Sequence, residues 1–314
     1  MRWGIFSGAL WGMDTVTLGL ALLFIPFLNL PDAALASAMF HDVLCAIILF
    51  IYMLMRGRLR ASLKAITTRA GQAVMIAAIL GGPIGMTGYL VAINNIGPGF
   101  TAIISTFYPA FGAVLAYIFL KERMGLHQLV ALLISLVAII LIGWSSASTT
   151  PTGSTMVGVV AALTCVIGWG SEAVILAWGM NDDDVDNDTA LHIRQTTSAL
   201  AYLFVIAPVT GTFSFVKYSM LNVGIGVVVI AAMAGTASYL FYYRAIHTIG
   251  ASRAMALNIS YSAWAVFFAF LVLGQVPSLL QIVCCVVILC GTVLAATPDW
   301  RILAGDKSGG VCTD

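Results

Sequence analysis

Polar residues in this chain are grouped in short stretches between long apolar runs. A helix needs about 20 apolar residues to cross the hydrocarbon core of a bilayer. Ten runs of roughly this length lie at residues 3–24, 35–55, 72–93, 100–120, 126–144, 155–178, 190–210, 222–246, 254–273 and 278–297. Because the connecting segments are short, the pattern predicts an all-α integral membrane protein with ten transmembrane helices and no inserted soluble domain.

The second half of the chain repeats the pattern of the first. Ile96-Gly97 is matched by Ile249-Gly250, at an offset of 153 residues. The same offset pairs Gly82 with Gly235, Tyr89 with Tyr242, Ser105 with Asn258, Tyr108 with Tyr261 and Phe111 with Trp264. Chance similarity between apolar helices would not keep one register, so we predict two five-helix repeats, at 1–148 and 152–298. Because each half has an odd number of spans, the second half enters the membrane from the opposite side, and the repeats are inverted. A cytoplasmic tail is predicted at 299–314.

Lysine and arginine are distributed unevenly between the two sides of this predicted bundle. With the N-terminus inside, the cytoplasmic side receives Arg2, Arg56, Arg58, Arg60, Lys64, Arg69, Lys121, Arg123, Arg244, Arg253, Arg301 and Lys307, and the outside receives only Lys217. By the positive-inside rule, both termini are predicted to be cytoplasmic, in a bacterial-type inner (plasma) membrane. No signal peptide is expected, because the first run is too long for an h-region and lacks a small-residue cleavage site.

Composition supports the membrane setting and excludes several function classes. Hydrophobic residues make up 61% of the chain and charged residues 9%, whereas soluble domains carry about 25% charged residues. The net charge of +1 gives no basic surface for nucleic acid. The six cysteines show no disulfide or metal-ligand spacing, so neither a metal nor another cofactor is predicted. The acidic stretch 182–188 lacks the glycine and glutamate of a calcium loop, and we interpret it as a solvated linker.

Two matching polar arrangements lie deep inside apolar runs. Trp11-Gly12-Met13-Asp14 and Trp169-Gly170-Ser171-Glu172 share an aromatic-Gly-x-acid spacing in the first helix of each half. Residues three apart share a helix face, and an ionisable residue at membrane depth marks a candidate functional site. Inverted repeats place such sites near the midplane. Glu172 is predicted to be the main counter-charge or a proton carrier, with Asp14 or Asp42 as the alternatives.

The intramembrane polar groups and the aromatic residues on the same helices suit an organic cation, because aromatic rings bind quaternary ammonium groups. The predicted substrate-binding residues are Trp11, Asp14, Tyr89, Trp169, Glu172, Asn258, Tyr261 and Trp264. The coupling or gating candidates are His41, Asp42, Arg194 and Gln195. Two alternatives stay open: Arg194 as a structural tie to a carboxylate, and His41 as a polar residue satisfied by its neighbours. No catalytic residue is predicted, since no nucleophile–base pair is visible.

Several stretches resemble the drug/metabolite transporter superfamily, in its EamA-type branch. Tyr108-Pro109 and Leu120-Lys121-Glu122-Arg123 look like the first-repeat signature of that branch. Within it, the LicB-type choline permeases are similar at Phe40-His41-Asp42, Gly82-Pro83-Ile84-Gly85-Met86, Trp169-Gly170-Ser171-Glu172, Ile193-Arg194-Gln195 and Leu257-Asn258-Ile259-Ser260-Tyr261. Asp14 has no place in that pattern. The resemblance implies that Trp169, Glu172, Asn258 and Tyr261 contact a cation or line its pocket.

The acidic, aromatic site and the resemblance together predict a secondary transporter in the lipid bilayer. It would import choline or a related quaternary ammonium or organic cation by alternating access, with a proton as a candidate coupling ion in a symport. The alternative is an exporter of amino acids, metabolites or drugs on the same scaffold, in which Arg194 pairs with a substrate carboxylate. An enzyme or receptor is disfavoured, because the sequence has no catalytic constellation and no ligand-binding ectodomain.

Overall fold

The computed structural model describes residues 1–28, 30, 33–145, 153–181, 185–212 and 222–300, and within these ranges the chain forms helices and connecting segments without β-strands. The acids at 182–184, Lys217, and the predicted tail from Arg301 onward lie outside the described residues. The described part is therefore all-α, as the apolar runs predict.

The first half of the chain contributes seven α-helices to the bundle. They are α1 (Arg2–Ala21), α2 (Ala33–Met55), α3 (Leu59–Ala65), α4 (Arg69–Ile79), α5 (Thr87–Ser105), α6 (Tyr108–Leu115) and α7 (Leu126–Ser145). Two π-helical segments interrupt this series, Leu80–Met86 between α4 and α5 and Ala116–Leu120 after α6. The first of these contains Pro83, and a wide turn of this kind leaves backbone carbonyls free for other partners.

The second half contributes a further seven described α-helices. They are α8 (Thr155–Gly179), α9 (Asn187–Ala201), α10 (Ala207–Thr210), α11 (Val223–Ile249), α12 (Ala251–Asn258), α13 (Tyr261–Leu273) and α14 (Leu279–Ala296). A π-helical segment, Tyr202–Ile206, joins α9 to α10.

Seven helical stretches among the described residues are long and apolar enough to cross a membrane. They are Ala33–Met55, Arg69–Ser105, Leu126–Ser145, Thr155–Gly179, Val223–Ile249, Ala251–Leu273 and Leu279–Ala296. Ten spans were predicted. The number is smaller because α1 is made less hydrophobic by Asp14 and by its serine, threonine and glycine residues, and because the fourth and seventh runs are divided into shorter helices.

The two halves of the chain pack through α1 and α8, the helices that carry the Trp-Gly-x-acid motifs. Helix α1 packs against α11 and α13, whereas α8 packs against α4, α5 and α6. A stripe of glycines on α1 allows the close approach, since a Cβ at Gly4, Gly8 or Gly12 would overlap Leu257, Ser260 or Trp264, respectively. Each half thus places its acidic motif against helices of the other half.

The same backbone break occurs in both halves at the matched Ile-Gly positions. Gly97 bends α5 with φ 78° and ψ 163°, and Gly250 ends α11 with φ 86° and ψ 163°. A positive φ of this kind is readily adopted only by glycine. The Glu122 carboxylate fills the space where a Cβ of Gly250 would lie. It accepts hydrogen bonds from the backbone N–H groups of Ala251 (2.8 Å) and Ser252 (3.0 Å), which caps α12.

An ion-pair cluster joins the end of α2 to the start of α9. Arg58 donates to Asp186 and lies 3.6 Å from Asp188, which also accepts a hydrogen bond of 3.2 Å from the Tyr52 hydroxyl. The hydrogen bond to Asp186 raises the pKa of Arg58. Burial raises the pKa of Asp186, but hydrogen bonds from Thr189 and Arg58 outweigh burial, so its pKa is lowered below the ordinary value. Arg58 and Asp186 therefore stay ionised at neutral pH, and their pair holds α2 against α9.

Gly250→Ala is expected to destabilise the bundle by about 1–3 kcal/mol, the usual size of backbone strain at a non-glycine residue with a disfavoured φ. The added Cβ also meets Glu122. Thermal unfolding in detergent measures the effect. Gly226→Ala is the matched control, because Gly226 lies within α11 and nothing lies within 4 Å of its added Cβ. Equal unfolding temperatures for the two variants would contradict the prediction.

Candidate functional site

A cavity of about 360 Å³ lies where helices of the two halves meet. Its walls come mainly from α1, α2, the π-helical segment Leu80–Met86, α5, α8 and α11. Single residues are added by α6, α9, α12 and α13, namely Tyr108, Arg194, Asn258 and Tyr261. Along α1 and α2 the lining continues to Leu22 and Ala34, at the connection between these helices. The cavity therefore reaches toward the side of the bundle opposite to the N-terminus, and its volume is within the usual range of ligand pockets, about 300–1,000 Å³.

Five ionisable side chains form an alternating series across this cavity, which we call the charge chain: Asp14, His41, Asp42, Arg194 and Glu172. His41 Nε2 lies 3.0 Å from Asp14 Oδ1, and His41 Nδ1 lies 3.6 Å from Asp42 Oδ1. Arg194 Nη1 lies 4.0 Å from Asp42 Oδ2, and Arg194 Nε donates to Glu172 Oε1 at 2.7 Å. Acids and bases therefore alternate from α1 through α2 and α9 to α8.

Neutral polar groups hold the centre of the charge chain. Arg194 Nη1 donates to Gln195 Oε1 at 2.9 Å, and Gln195 Nε2 donates to the backbone carbonyl of Asp42 at 3.3 Å. The Ser198 hydroxyl donates to the Asp42 carboxylate. Arg194 is only 2% exposed. Such a buried charge is tolerated because it is paired and hydrogen-bonded.

Two aromatic clusters line the cavity beside the charge chain. Trp11 contacts Tyr239 edge-on at 5.0 Å, and Arg194 Cζ lies 4.7 Å above the Tyr239 ring, within cation–π range. In the second cluster the ring centroid of Trp169 lies 5.4 Å from that of Tyr89 and 5.7 Å from that of Tyr108. The two tryptophans of the Trp-Gly-x-acid motifs thus lie in separate clusters of one cavity.

Glycines of the π-helical segment Leu80–Met86 make room for these side chains. The Gly81 carbonyl accepts a hydrogen bond of 3.0 Å from Trp169 Nε1. A Cβ at Gly81 would overlap the Glu172 carboxylate, and a Cβ at Gly82 would overlap the Ser198 hydroxyl. On α11, a Cβ at Gly235 would crowd His41 and Asp14. The charge chain can form because these three positions have no side chain.

A chain of hydrogen bonds fixes the floor of the cavity. Tyr108 Oη donates to Asn258 Oδ1 at 3.0 Å, and Asn258 Nδ2 donates to Ser7 Oγ at 3.0 Å. The Ser238 hydroxyl donates to the Ser7 backbone carbonyl at 2.8 Å. These bonds join α6, α12, α1 and α11, so Asn258 positions Tyr108 beside Trp169.

Ten of the twelve predicted binding, coupling or gating residues line the cavity: Trp11, Asp14, His41, Asp42, Tyr89, Trp169, Glu172, Arg194, Asn258 and Tyr261. Gln195 is fully buried behind Arg194. Trp264 lies outside the lining. Its Cβ packs on Gly12, and its ring centroid lies 6.1 Å from that of Phe267. The sequence analysis did not single out Ser7, Ser198 or Ser238, since small hydroxyl residues give no distinct signal within apolar helices.

Comparison with known proteins assigns the family. Residues 2–144 and 156–297 both match the EamA-like transporter family. The chain belongs to the EamA-like transporter family. Membership, together with the apolar helices, makes it a multi-pass membrane protein of a transporter family.

Individual relatives of this EamA-like transporter are more distant. Protein LicB of Haemophilus influenzae is 28% identical over 203 residues, which cover 64% of this chain and 66% of LicB, just under two thirds of its length. A solved crystal structure superposes with a TM-score of 0.70 at 15% identity, covering 94% of this chain and 96% of the other. At that identity the likeness shows a shared fold.

Gly81→Ala is expected to displace Glu172 from Arg194, because the new Cβ takes the place of the carboxylate. Breaking a buried ion pair costs about 3–5 kcal/mol, so we expect a marked fall in unfolding temperature in detergent. Gly19→Ala is the matched control, since Gly19 also lines the cavity but has nothing within 4 Å of an added Cβ. A Gly81→Ala variant as stable as Gly19→Ala would show that the pair tolerates displacement.

Proposed function

We propose that this EamA-like transporter imports choline or a related quaternary ammonium or organic cation. The observation that carries the proposal is the sum of charges in the charge chain. Three carboxylates, Asp14, Asp42 and Glu172, face Arg194 and His41. With all three carboxylates ionised and His41 protonated the sum is −1, and a monovalent cation in the cavity brings it to zero. Since unpaired charge is expensive at low dielectric, a cation is the preferred occupant.

The aromatic walls support an organic rather than a metal cation. A quaternary ammonium group cannot donate hydrogen bonds, so aromatic faces and a nearby negative charge are what can hold it. Trp11 and Trp169 stand in separate aromatic clusters of the same cavity. Asn258 and Tyr261, which resemble LicB-type choline permeases in their surrounding sequence, lie in the same lining. The likeness to Protein LicB agrees with this assignment.

The proposal includes the topology that the sequence predicts. Ten spans in two inverted repeats, 1–148 and 152–298, would place both termini and the tail at 299–314 in the cytoplasm of a bacterial cell. The cavity then reaches toward the outside, where an importer takes up its substrate. A membrane potential of 100 mV is worth about 2.3 kcal/mol per charge, which favours inward movement of a cation. A proton, bound within the charge chain, is the proposed coupling ion of a symport.

An exporter of amino acids, metabolites or drugs is the competing function on the same scaffold. A substrate carboxylate would need a basic partner, and Arg194 is the basic side chain of permanent charge in the described cavity lining. Arg194 already donates to Glu172 at 2.7 Å and lies within 4.0 Å of Asp42. A substrate carboxylate would therefore have to displace Glu172, which makes an anionic or zwitterionic substrate less favourable than a cation.

A ligand screen tests the charge preference. Choline is expected to stabilise the purified protein, by about 2.7 kcal/mol when present at 100 times its dissociation constant, because it neutralises the charge chain. Simple carboxylic acids of similar size should give no shift in unfolding temperature. Stabilisation by carboxylic acids, without any by choline, would contradict cation transport and favour the exporter.

Substitution of Trp169 tests the aromatic contribution. Trp169→Phe and Trp169→Leu both lose the hydrogen bond to Gly81, so a difference between them reports the ring alone. The phenylalanine variant keeps an aromatic face, and we expect the leucine variant to bind choline about tenfold more weakly, since a cation–π contact is worth about 1–2 kcal/mol. Choline affinity is measured by calorimetry on variants of matched unfolding temperature. Equal affinity would mean that position 169 acts through shape alone.

A further inference from the structure

Two acid–base pairs occupy matching places in the two halves of the chain. In the first half His41 on α2 pairs with Asp14 on α1, at 3.0 Å. In the second half Arg194 on α9 pairs with Glu172 on α8, at 2.7 Å. His41 and Arg194 are separated by 153 residues, the offset that also relates Gly97 to Gly250. Each pair thus joins the first two long helices of its half through a base and the acid of a Trp-Gly-x-acid motif.

The two pairs differ in one chemical respect. The guanidinium of Arg194 is charged at every accessible pH, so Glu172 always faces a positive charge, and in this sense we call the pair permanent. Imidazole is the side chain whose charge ordinarily changes between pH 5 and 8. The pair of His41 with Asp14 is therefore the titratable counterpart of a fixed pair. Glu172 is less suited to exchange a proton, because protonation would leave Arg194 facing a neutral acid.

The surroundings of His41 favour a bound proton. Asp14 from α1 faces Nε2 of His41. On α2 itself, the Asp42 carboxylate lies 3.6 Å from Nδ1. The Cys45 sulfur, also on α2, lies 3.8 Å from each ring nitrogen. The helices packed against α2 add further ionisable groups to the cavity lining: Arg194 from α9, Tyr239 and Tyr242 from α11, and Tyr89 from α5. An ionised carboxylate only accepts hydrogen bonds, so Nε2 donates to Asp14. Asp42, at 3.6 Å from Nδ1, adds a second carboxylate beside the ring, and two nearby carboxylates favour the imidazolium form.

The position of His41 also allows proton exchange with the cavity. His41 is 5% exposed and belongs to the cavity lining. Gly235 on α11 has no side chain, and this leaves room for the imidazole ring of His41. A proton can therefore reach the imidazole from water in the cavity and leave by the same route once the cavity faces the other side.

We propose that His41 carries the coupling proton of the transport cycle, and that the permanent Arg194–Glu172 pair does not take part in proton exchange. This inference rests on the proposed cation transport. With a proton on His41 and one monovalent cation bound, the charge chain sums to zero, whereas without the proton it keeps a charge of −1. The neutral, occluded state thus holds one proton and one cation, and both leave to the cytoplasm together.

The first test needs no substrate. With His127, His192 and His247 each replaced by Gln, His41 is the remaining histidine, and its two ring nitrogens are followed by ¹⁵N NMR in detergent. We expect two protonated nitrogens at low pH and loss of one proton as the pH rises. A neutral ring at every pH, or a ring that stays charged up to pH 9, would overturn the assignment. Because the NMR titration needs no substrate, it still tests the proton site if the protein does not transport choline.

The second test measures proton movement during choline uptake into proteoliposomes that contain a pH-sensitive dye. The wild type is expected to take up about one proton per choline. His41→Arg makes the first pair permanent and should reduce this ratio to zero. Because Arg has to fit beside Gly235, the neutral double variant His41→Gln with Asp14→Asn serves as a second form, with the same expectation.

Arg194→Lys is the matched control for these variants. It keeps a positive charge paired with Glu172, so the rate of uptake is expected to fall while the ratio of protons to choline stays at about one. Proton uptake that persists in both His41 variants would overturn the proposal, as would its loss in Arg194→Lys alone. If the wild type takes up no choline at all, the proposed function fails, and the NMR titration alone decides whether His41 exchanges a proton.

Discussion

The constraint on which this bundle depends is that charge inside a membrane protein needs a partner. Five ionisable groups meet this requirement by alternating in sign from Asp14 to Glu172. Four helices, α1, α2, α8 and α9, supply them, so the charges join the two halves at the place where a substrate would bind. Loss of one partner of a buried ion pair destabilises the folded protein by several kcal/mol. Arrangements of the four helices that separate these partners are therefore disfavoured.

Packing at glycine positions allows the charges to approach one another. Gly82 and Gly235 are separated by 153 residues. Gly82 leaves space for Ser198, which donates to Asp42 of the charge chain, and Gly235 leaves space for His41. The π-helical turn at Leu80–Met86 directs the Gly81 carbonyl toward Trp169. Helix irregularity at membrane depth is tolerated where it faces a cavity or another helix. Here it supplies both a hydrogen-bond acceptor and the space for a carboxylate.

The two halves share a backbone but differ in chemistry. Gly97 and Gly250 adopt nearly the same φ and ψ values, and each half contributes one base and one acid on matching helices. One base is an arginine and the other is a histidine. An arrangement with two permanent pairs would hold the structure equally well but offer no site for a proton. In the proposed mechanism, the difference between the halves, rather than their similarity, supplies the site of the coupling proton.

The sequence by itself determined the helical class and placed most of the polar and aromatic candidates in the cavity lining, because hydrophobic runs and intramembrane acids follow from the cost of exposing polar groups to lipid. Ten of the twelve predicted binding, coupling or gating residues line one cavity for this reason. Only the tertiary structure decided which acid pairs with which base. The sequence leaves open whether Arg194 pairs with a carboxylate and with which one; in the structure it donates to Glu172, 22 residues earlier on another helix. Trp264 is three residues from Tyr261, but Gly12 of α1 accommodates it outside the cavity. Such pairings depend on the rotation and separation of packed helices, which the local hydrophobic pattern does not encode.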